Sequence, residues 1–329
     1  MLKKTIRRLG ALAMVLAMAV SVFAVNASAV DATENIQFKK SLVVTGEAHA
    51  KLPLAETFNF TVTEAGKSDE TTYPNPGKEA ITVSPVTFAK GATTSEQNIT
   101  VTVKKEYFAL KNSDNEVIGY KPGTYYYIIK ETANSTDGMV YSGAEKKLAV
   151  QVLNDGTCKY YVVEYKNGEV TNAKDDAVFT NTYTAHKLTV AKQIEGDQAD
   201  RNKAFDIYVT IKGAADETYE TSAGTTLTSG TPAKISLKGG ESIEIYNLSA
   251  GDTYTVTEDA KYKSEGYTIT NEVTNDTAIG DSDKTVTIVN TKRASTPGGV
   301  IMTIAPYALM VVLAGAFAVV FLTRRNRAE

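Results

Sequence analysis

The chain has 329 residues, a formal net charge of −3, 18 tyrosines, no tryptophan, two histidines and one cysteine. A single cysteine excludes an internal disulfide, and two histidines without a cysteine cluster give no reason to expect a metal site. The acidic balance argues against nucleic-acid binding, and no phosphate loop or Ser-His-Asp arrangement predicts an enzyme.

Residues 1–29 have the pattern of a secretory signal peptide. Basic residues that include Arg7 and Arg8 precede an apolar stretch, and Ala27-Ser28-Ala29 supplies a small-residue cleavage site. We therefore predict that the protein is exported and that its mature body begins near residue 30.

Between the terminal segments, short alternating runs rich in Thr, Val and Tyr are separated by Gly, Asn and Asp. This pattern is typical of β-sandwiches rather than of βα repeats. We predict an all-β protein with two tandem Ig-like, Greek-key sandwich domains, one over residues 30–184 and one over residues 185–293.

Three strands of each predicted domain carry one polar residue in the apolar register, in the same chain order both times. These residues are Lys40, Glu131 and Asn181 in the first domain and Lys192, Glu258 and Asn290 in the second. Because side chains alternate along a strand with a period of two, all six point into a core. An isolated buried charge is costly unless it is neutralised or paired, so two matching sets indicate chemistry.

The C-terminal segment, 294–329, has the pattern of a membrane anchor. A spacer rich in small residues leads into 300–322, an uncharged stretch long enough to span a bilayer as a helix. Arginines follow at 324, 325 and 327, and their charge predicts a cytoplasmic tail. The body of the protein is therefore expected outside the cell.

Four strings of the sequence carry a family resemblance: YYYIIKE at 125–131, KLTVAKQIEG at 187–196, YTVTED at 254–259 and TIVNTK at 287–292. They resemble segments of the backbone pilins of Gram-positive bacteria, above all the streptococcal two-domain type. The tail, TPGGVIMTIAPYALMVVLAG at 296–315, resembles the sorting signals of the same family.

The resemblance implies one self-formed isopeptide bond in each domain, between a lysine and an asparagine and promoted by a glutamate. By this likeness the bonds are Lys40–Asn181 and Lys192–Asn290, and the promoting acids are Glu131 and Glu258.

Elementary chemistry supports such a reaction without the family. Burial lowers the pKa of a lysine, so that its amine is neutral and nucleophilic, and raises the pKa of a glutamate. A protonated glutamate could donate a hydrogen bond to the asparagine carbonyl oxygen and pass a proton to the leaving ammonia. The alternative is a buried Lys–Glu pair hydrogen-bonded to Asn, with no bond formed.

The sorting motif departs from the usual family pattern. Thr296, Pro297, Gly298 and Gly299 occupy the matching positions, and Gly298 stands where the family has threonine. The resemblance implies sortase cleavage between Gly298 and Gly299. Without cleavage, the protein would remain a membrane-tethered surface stalk.

Polymerisation in this family needs a lysine that attacks the acyl-enzyme formed on another subunit. The family offset from the first-domain asparagine falls on Lys174, and Lys166, at a predicted turn, is the second candidate. The alternative is that both residues are ordinary solvated lysines.

The sequence thus predicts a structural pilin of the cell surface, without cofactors or metal. Its expected partners are sortase, other pilin subunits in a head-to-tail polymer, peptidoglycan and host surface ligands. The alternative is an anchored adhesin stalk that binds a host ligand without polymerising, and an enzyme ranks third.

Overall fold

The computed structural model describes residues 35–166 and 169–294. The regular secondary structure of this part of the chain is almost entirely β-strand. The strands of the first half are β1 (Asn35–Gly46), β2 (Glu56–Lys67), β3 (Ile81–Val83), β4 (Val86–Phe88), β5 (Ser95–Val103), β6 (Ala109–Lys111), β7 (Val117–Tyr120), β8 (Gly123–Thr132), β9 (Met139–Val140), β10 (Glu145–Val152), β11 (Cys158–Lys166), β12 (Glu169–Lys174) and β13 (Val178–Glu195).

The second half continues in the same way. Its strands are β14 (Phe205–Lys212), β15 (Thr218–Glu220), β16 (Thr226–Thr228), β17 (Ala233–Leu237), β18 (Ser242–Leu248), β19 (Thr253–Glu258), β20 (Thr268–Thr270), β21 (Val273–Ala278) and β22 (Lys284–Thr291). Within residues 35–166 and 169–294, helical structure is limited to α1 (Lys261–Ser264) and two 3-10 turns, Lys78–Ala80 and Lys105–Phe108. The prediction of an all-β protein is confirmed.

The strands form two sandwiches. In the first, the layer β3-β5-β1-β13 faces the layer β12-β11-β10-β8-β2-β4, and side chains from both layers build one apolar core. In the second, β20-β22-β13-β18 faces β17-β14-β19-β21 around a separate core. The two small hairpins, β6–β7 and β15–β16, lie outside these layers.

Strand β13 belongs to both sandwiches. Its first half pairs in parallel with β1, and its second half pairs in parallel with β22. The predicted domain boundary, between residues 184 and 185, falls inside this uninterrupted strand. The chain therefore passes from one core to the other without a linker.

Alternation along β8 explains how a charge enters the core. Tyr125, Tyr127, Ile129 and Glu131 are all buried, while the residues between them face away from the core. Three apolar side chains on one face fix the register of the strand, and Glu131 is then carried inward with them.

A glycine lies at the end of the lysine strand in each sandwich, where the backbone closely approaches the neighbouring strand. Gly46 has a φ of +108°, and a Cβ there would lie 1.8 Å from the Ala185 carbonyl oxygen. Gly196 has a φ of +95°, and a Cβ would lie 2.0 Å from the Lys292 carbonyl oxygen. A residue with a side chain would force the paired strands apart at both places.

The two sandwiches also touch beside β13. The backbone N–H of Lys51 donates to Asn247 Oδ1 at 2.8 Å, and the hydroxyls of Tyr183 and Ser249 are hydrogen-bonded at 3.0 Å. A cavity of about 660 Å³ lies at this junction, with carboxylates of both halves in its lining.

No helix within residues 35–166 and 169–294 has the length and apolar character needed to cross a membrane. The predicted signal peptide, 1–29, the predicted sorting motif, 296–299, and the predicted membrane segment, 300–322, lie outside the described residues.

Candidate functional site

The structure brings together the three polar residues predicted for the first sandwich. Lys40 on β1, Glu131 on β8 and Asn181 on β13 are at most 3% exposed. Lys40 Nζ lies 2.9 Å from Glu131 Oε2, and Asn181 Nδ2 donates to Glu131 Oε1 at 2.5 Å. One carboxylate therefore contacts both the amine and the amide nitrogen.

The second sandwich repeats this arrangement. Lys192 on β13, Glu258 on β19 and Asn290 on β22 are at most 6% exposed. Lys192 Nζ lies 3.2 Å from Glu258 Oε2, and Asn290 Nδ2 donates to Glu258 Oε1. The same oxygen faces the same partner in both triads.

Strand register produces the repetition. Lys40 lies opposite Phe179, two residues before Asn181, and Lys192 lies opposite Ile288, two residues before Asn290. Each lysine therefore reaches along its parallel neighbour towards the asparagine, and each Nζ donates at 3.3 Å to the carbonyl oxygen of the residue opposite.

The lysine amines also lie over aromatic rings. Lys40 Nζ is 4.4 Å from the centroid of the Phe58 ring, and Lys192 Nζ is 4.8 Å from that of Phe205. Each ring is fully buried and shields the amine from water. The sequence pattern indicates the strands that contain Phe58 and Phe205, β2 and β14. It does not predict which ring lies against which lysine amine.

Burial shifts the acid–base balance of the triads. It lowers the pKa of Lys40 to about 8, although the adjacent Glu131 opposes this shift. Burial likewise lowers the pKa of Lys192 and raises that of Glu258. Because the pKa of each lysine is lowered, each ammonium gives up a proton more readily here than in water, and this leaves a neutral, nucleophilic amine.

The structure differs from the sequence-based expectation in one detail of the amide orientation. Both glutamates face the Nδ2 group of the asparagine and not its carbonyl oxygen, because an ionised carboxylate can only accept hydrogen bonds. The carbonyl oxygen of Asn181 instead accepts the backbone N–H of Ser142 at 2.7 Å. Sequence reasoning did not identify Ser142, since a backbone donor leaves no residue-type signal.

The two candidate polymerisation lysines lie in neighbouring strands. Lys166 is the last residue of β11, and Lys174 is the last residue of β12. Strand β12 forms one edge of the six-stranded sheet, and β11 and β10 separate it from β8, the strand that carries Glu131. Neither β11 nor β12 contributes a residue to the buried triads.

No group of three or more His, Cys, Asp or Glu side chains suited to a metal ion occurs in the part of the chain that the structure describes.

Comparison with known proteins shows which family the sequence matches. Residues 36–184 match the model of the Spy0128-like isopeptide containing domain, and residues 186–292 match that of a domain of unknown function, DUF7601. A protein named pilin from Streptococcus pyogenes serotype M1 is 33% identical over 246 residues, which is 64% of this chain and 70% of the relative.

One solved structure and one further curated relative are also similar to this chain. The crystal structure of the major pilin from Streptococcus pyogenes has a TM-score of 0.58 at 24% identity, over 79% of this chain and 99% of that chain, and so shows the fold. The pilus tip adhesin Cpa of Streptococcus pyogenes is 35% identical over 77 residues, which is 22% of this chain and 11% of the adhesin. The chain belongs to the streptococcal-type backbone pilin family and is a structural subunit of bacterial surface pili rather than an enzyme.

Proposed function

We propose that this pilin is held together by two self-formed isopeptide bonds, Lys40–Asn181 and Lys192–Asn290, and is joined to other subunits by sortase. The observation that carries the proposal is the pair of matched, buried Lys–Glu–Asn triads. A buried ion pair alone is weak evidence for stability, because the desolvation penalty offsets the Coulombic gain. Two triads with the same Lys–Glu and Asn–Glu contacts on paired terminal strands fit a reaction better.

The reaction follows from the contacts of each triad. The glutamate takes a proton from the lysine ammonium, and the neutral Nζ attacks the asparagine Cγ. The glutamate returns this proton to Nδ2, the bond from Cγ to Nδ2 breaks, and ammonia leaves. The second proton of Nζ then passes through the glutamate to the ammonia, so that the product is a neutral amide, the glutamate is ionised again and the proton departs as ammonium. The fold holds amine and amide together, so a bimolecular reaction becomes an intramolecular one. Each triad reacts once, and no cofactor is needed.

The scheme assigns one triad to each of two domains. We propose units at 30–184 and 185–293, each with its own core and its own triad, preceded by a signal peptide at 1–29 and followed by a sorting segment at 294–329. The separate apolar clusters on either side of β13 support this division.

Polymerisation is proposed to use the sorting motif at 296–299 and a lysine of the first unit. Lys174 is the first candidate and Lys166 the second; Lys174 ends β12, an edge strand of the six-stranded sheet, and Lys166 ends the neighbouring β11. A lysine on one unit and a sorting motif on the far end of the chain would give an open, head-to-tail fibre. The last subunit would be attached to peptidoglycan, and host surface ligands would be contacted by the finished fibre.

The experiment that tests polymerisation is an immunoblot of wall extracts from the producing cells, made in sodium dodecyl sulfate. A ladder of high-mass species is expected, and it should collapse to the single subunit in a strain without sortase. A single band in the strain with sortase would contradict the proposal.

A further inference from the structure

The two triads differ at the asparagine carbonyl oxygen. In the first, Asn181 Oδ1 accepts the backbone N–H of Ser142 at 2.7 Å. In the second, Asn290 Oδ1 is buried and has no hydrogen-bond partner among the described residues. A buried carbonyl oxygen without a hydrogen-bond donor is uncommon and costs free energy, so the difference between the two triads calls for a structural explanation.

Strand pairing explains the difference. Val140, the last residue of β9, pairs with Thr182, so continuing the ladder would set Tyr141 opposite Asn181. The strand ends instead, and the next residue, Ser142, turns its N–H to the side chain of Asn181.

In the second sandwich the corresponding strand, β20, runs on. Ile269 pairs with Asn290 and Thr270 pairs with Val289, so Thr270, the equivalent of Ser142 by register, remains in the ladder. Among the described residues, no backbone N–H donates to the carbonyl oxygen of Asn290.

We propose that the Ser142 backbone N–H is an oxyanion-stabilising group for the first isopeptide bond, and that this bond forms faster than the second for that reason. The inference rests on the proposed cross-links. As Lys40 Nζ bonds to Cγ of Asn181, the electron pair of the carbonyl moves to Oδ1, where the N–H already lies at hydrogen-bond distance. A donor placed in advance in a buried site needs no reorganisation when the charge develops.

The same N–H fixes the direction of the leaving group. A backbone N–H can only donate, so the amide oxygen of Asn181 must face Ser142 and its Nδ2 must face Glu131. The proton from Lys40 is then delivered from the Glu131 carboxyl to Nδ2, and ammonia departs as the Cγ–Nδ2 bond breaks. Ser142 thus both stabilises the oxyanion and presents the leaving nitrogen to the acid.

The deciding variant replaces Ser142 by lactic acid during cell-free translation, which changes the backbone N–H to an ester oxygen. Its matched control is Ser142→Ala, which differs from it only in retaining the N–H. After translation is stopped, loss of ammonia is followed by mass spectrometry, and digestion assigns each loss to a triad. The ester should slow the Lys40–Asn181 bond by about 100-fold relative to Ser142→Ala, the usual size for one oxyanion donor. The Lys192–Asn290 bond of the same molecule should keep its rate.

Two further measurements keep the test decisive if the ester variant folds poorly. Pulse proteolysis before cross-linking reports whether the first sandwich has folded, and Ser142→Pro removes the same N–H by a genetic route. In the unaltered protein the first bond should appear before the second. Equal rates for the two bonds, or an unchanged first bond in a folded ester variant, would overturn the role of Ser142. Absence of any ammonia loss in the unaltered protein would overturn the cross-links themselves.

Discussion

Asn181 and Lys192 lie on one uninterrupted strand, β13, eleven positions apart, and each belongs to a different triad. If both bonds form, a covalent path runs from β22 through Asn290 to Lys192, along β13 to Asn181, and through Lys40 into β1. Tension applied along the subunit would follow this path and bypass both sandwich cores. The arrangement suits a fibre under load, since the folded segments between the bonded residues carry no force.

Intact-mass measurement should find two ammonia molecules missing from the recombinant body, residues 30–294. The reason is that each Lys–Asn bond releases one ammonia. Digestion should recover one branched peptide that joins Lys40 to Asn181 and another that joins Lys192 to Asn290. The uncorrected sequence mass would show that the triads are only hydrogen-bonded.

Glu131→Gln and Glu258→Gln should each abolish only the bond of their own sandwich, because each carboxyl contacts one lysine and one asparagine. Each bond closes a loop of roughly 100 residues or more, so its loss should reduce the free energy of unfolding by about 4.5–5 kcal/mol in the chain-entropy account. Calorimetry and limited proteolysis would measure the loss. A bond that forms at its normal rate without its glutamate would rule out the proposed proton transfer.

Under force, the protein should extend very little when it is pulled from residues 35 and 294 in a single-molecule experiment. Only segments outside the two bonded loops can lengthen, because the covalent path holds Lys40 to Asn181 and Lys192 to Asn290. The double variant Glu131→Gln, Glu258→Gln serves as control and should unfold in two large steps. Two such steps in the unaltered protein would contradict the load path.

Stability should fall as pH rises from about 4 to above 7 because of Asp252 at the junction. Burial, with the nearby Glu217 adding to it, raises the pKa of Asp252 to about 7. A carboxyl whose folded pKa exceeds its unfolded value binds its proton more tightly in the folded protein, so its contribution is complete below the unfolded pKa and is lost as pH passes about 7.

Asp252→Asn tests this effect. The amide keeps an oxygen able to accept the Ser249 N–H, which Asp252 Oδ2 accepts at 2.9 Å. At pH 8 the variant should melt at a higher temperature than the parent. Its free energy of unfolding should be greater by at most a few kcal/mol, since one pKa unit corresponds to about 1.4 kcal/mol. Its stability should also depend less on pH. The exposed Asp281→Asn is the matched control. Parallel pH profiles for Asp252→Asn and the parent would contradict the assignment.

Lys174→Ala should remove the high-mass ladder from wall extracts if Lys174 is the nucleophile that joins subunits. Lys166→Ala should do so if the second candidate is correct. Lys238→Ala, an exposed lysine of the second sandwich, provides the control and should leave the ladder intact. A full ladder in the double variant Lys166→Ala, Lys174→Ala would exclude both residues.

The sequence alone determined that the six polar side chains of the triads are buried. The alternation through Tyr125, Tyr127 and Ile129 commits Glu131 to the core, since the side-chain period of a strand is a local property of the backbone. The same reasoning applied to Lys40 and Asn290, and the structure buries both. All-β character was equally accessible, because turn residues and alternating runs are local signals.

The tertiary structure decided what those side chains meet. That Lys192 lies over Phe205, that Ser142 turns its N–H to Asn181 and that Asp252 shares the junction with Glu217 all depend on contacts between segments distant in sequence. The sequence also did not reveal that β13 is one continuous strand. A strand that contributes to two successive cores alternates in the same way along its whole length, so its pattern does not mark where one core ends and the next begins. Strand periodicity fixes the face on which a side chain lies, whereas pairing register and the ends of strands such as β9 fix its partners.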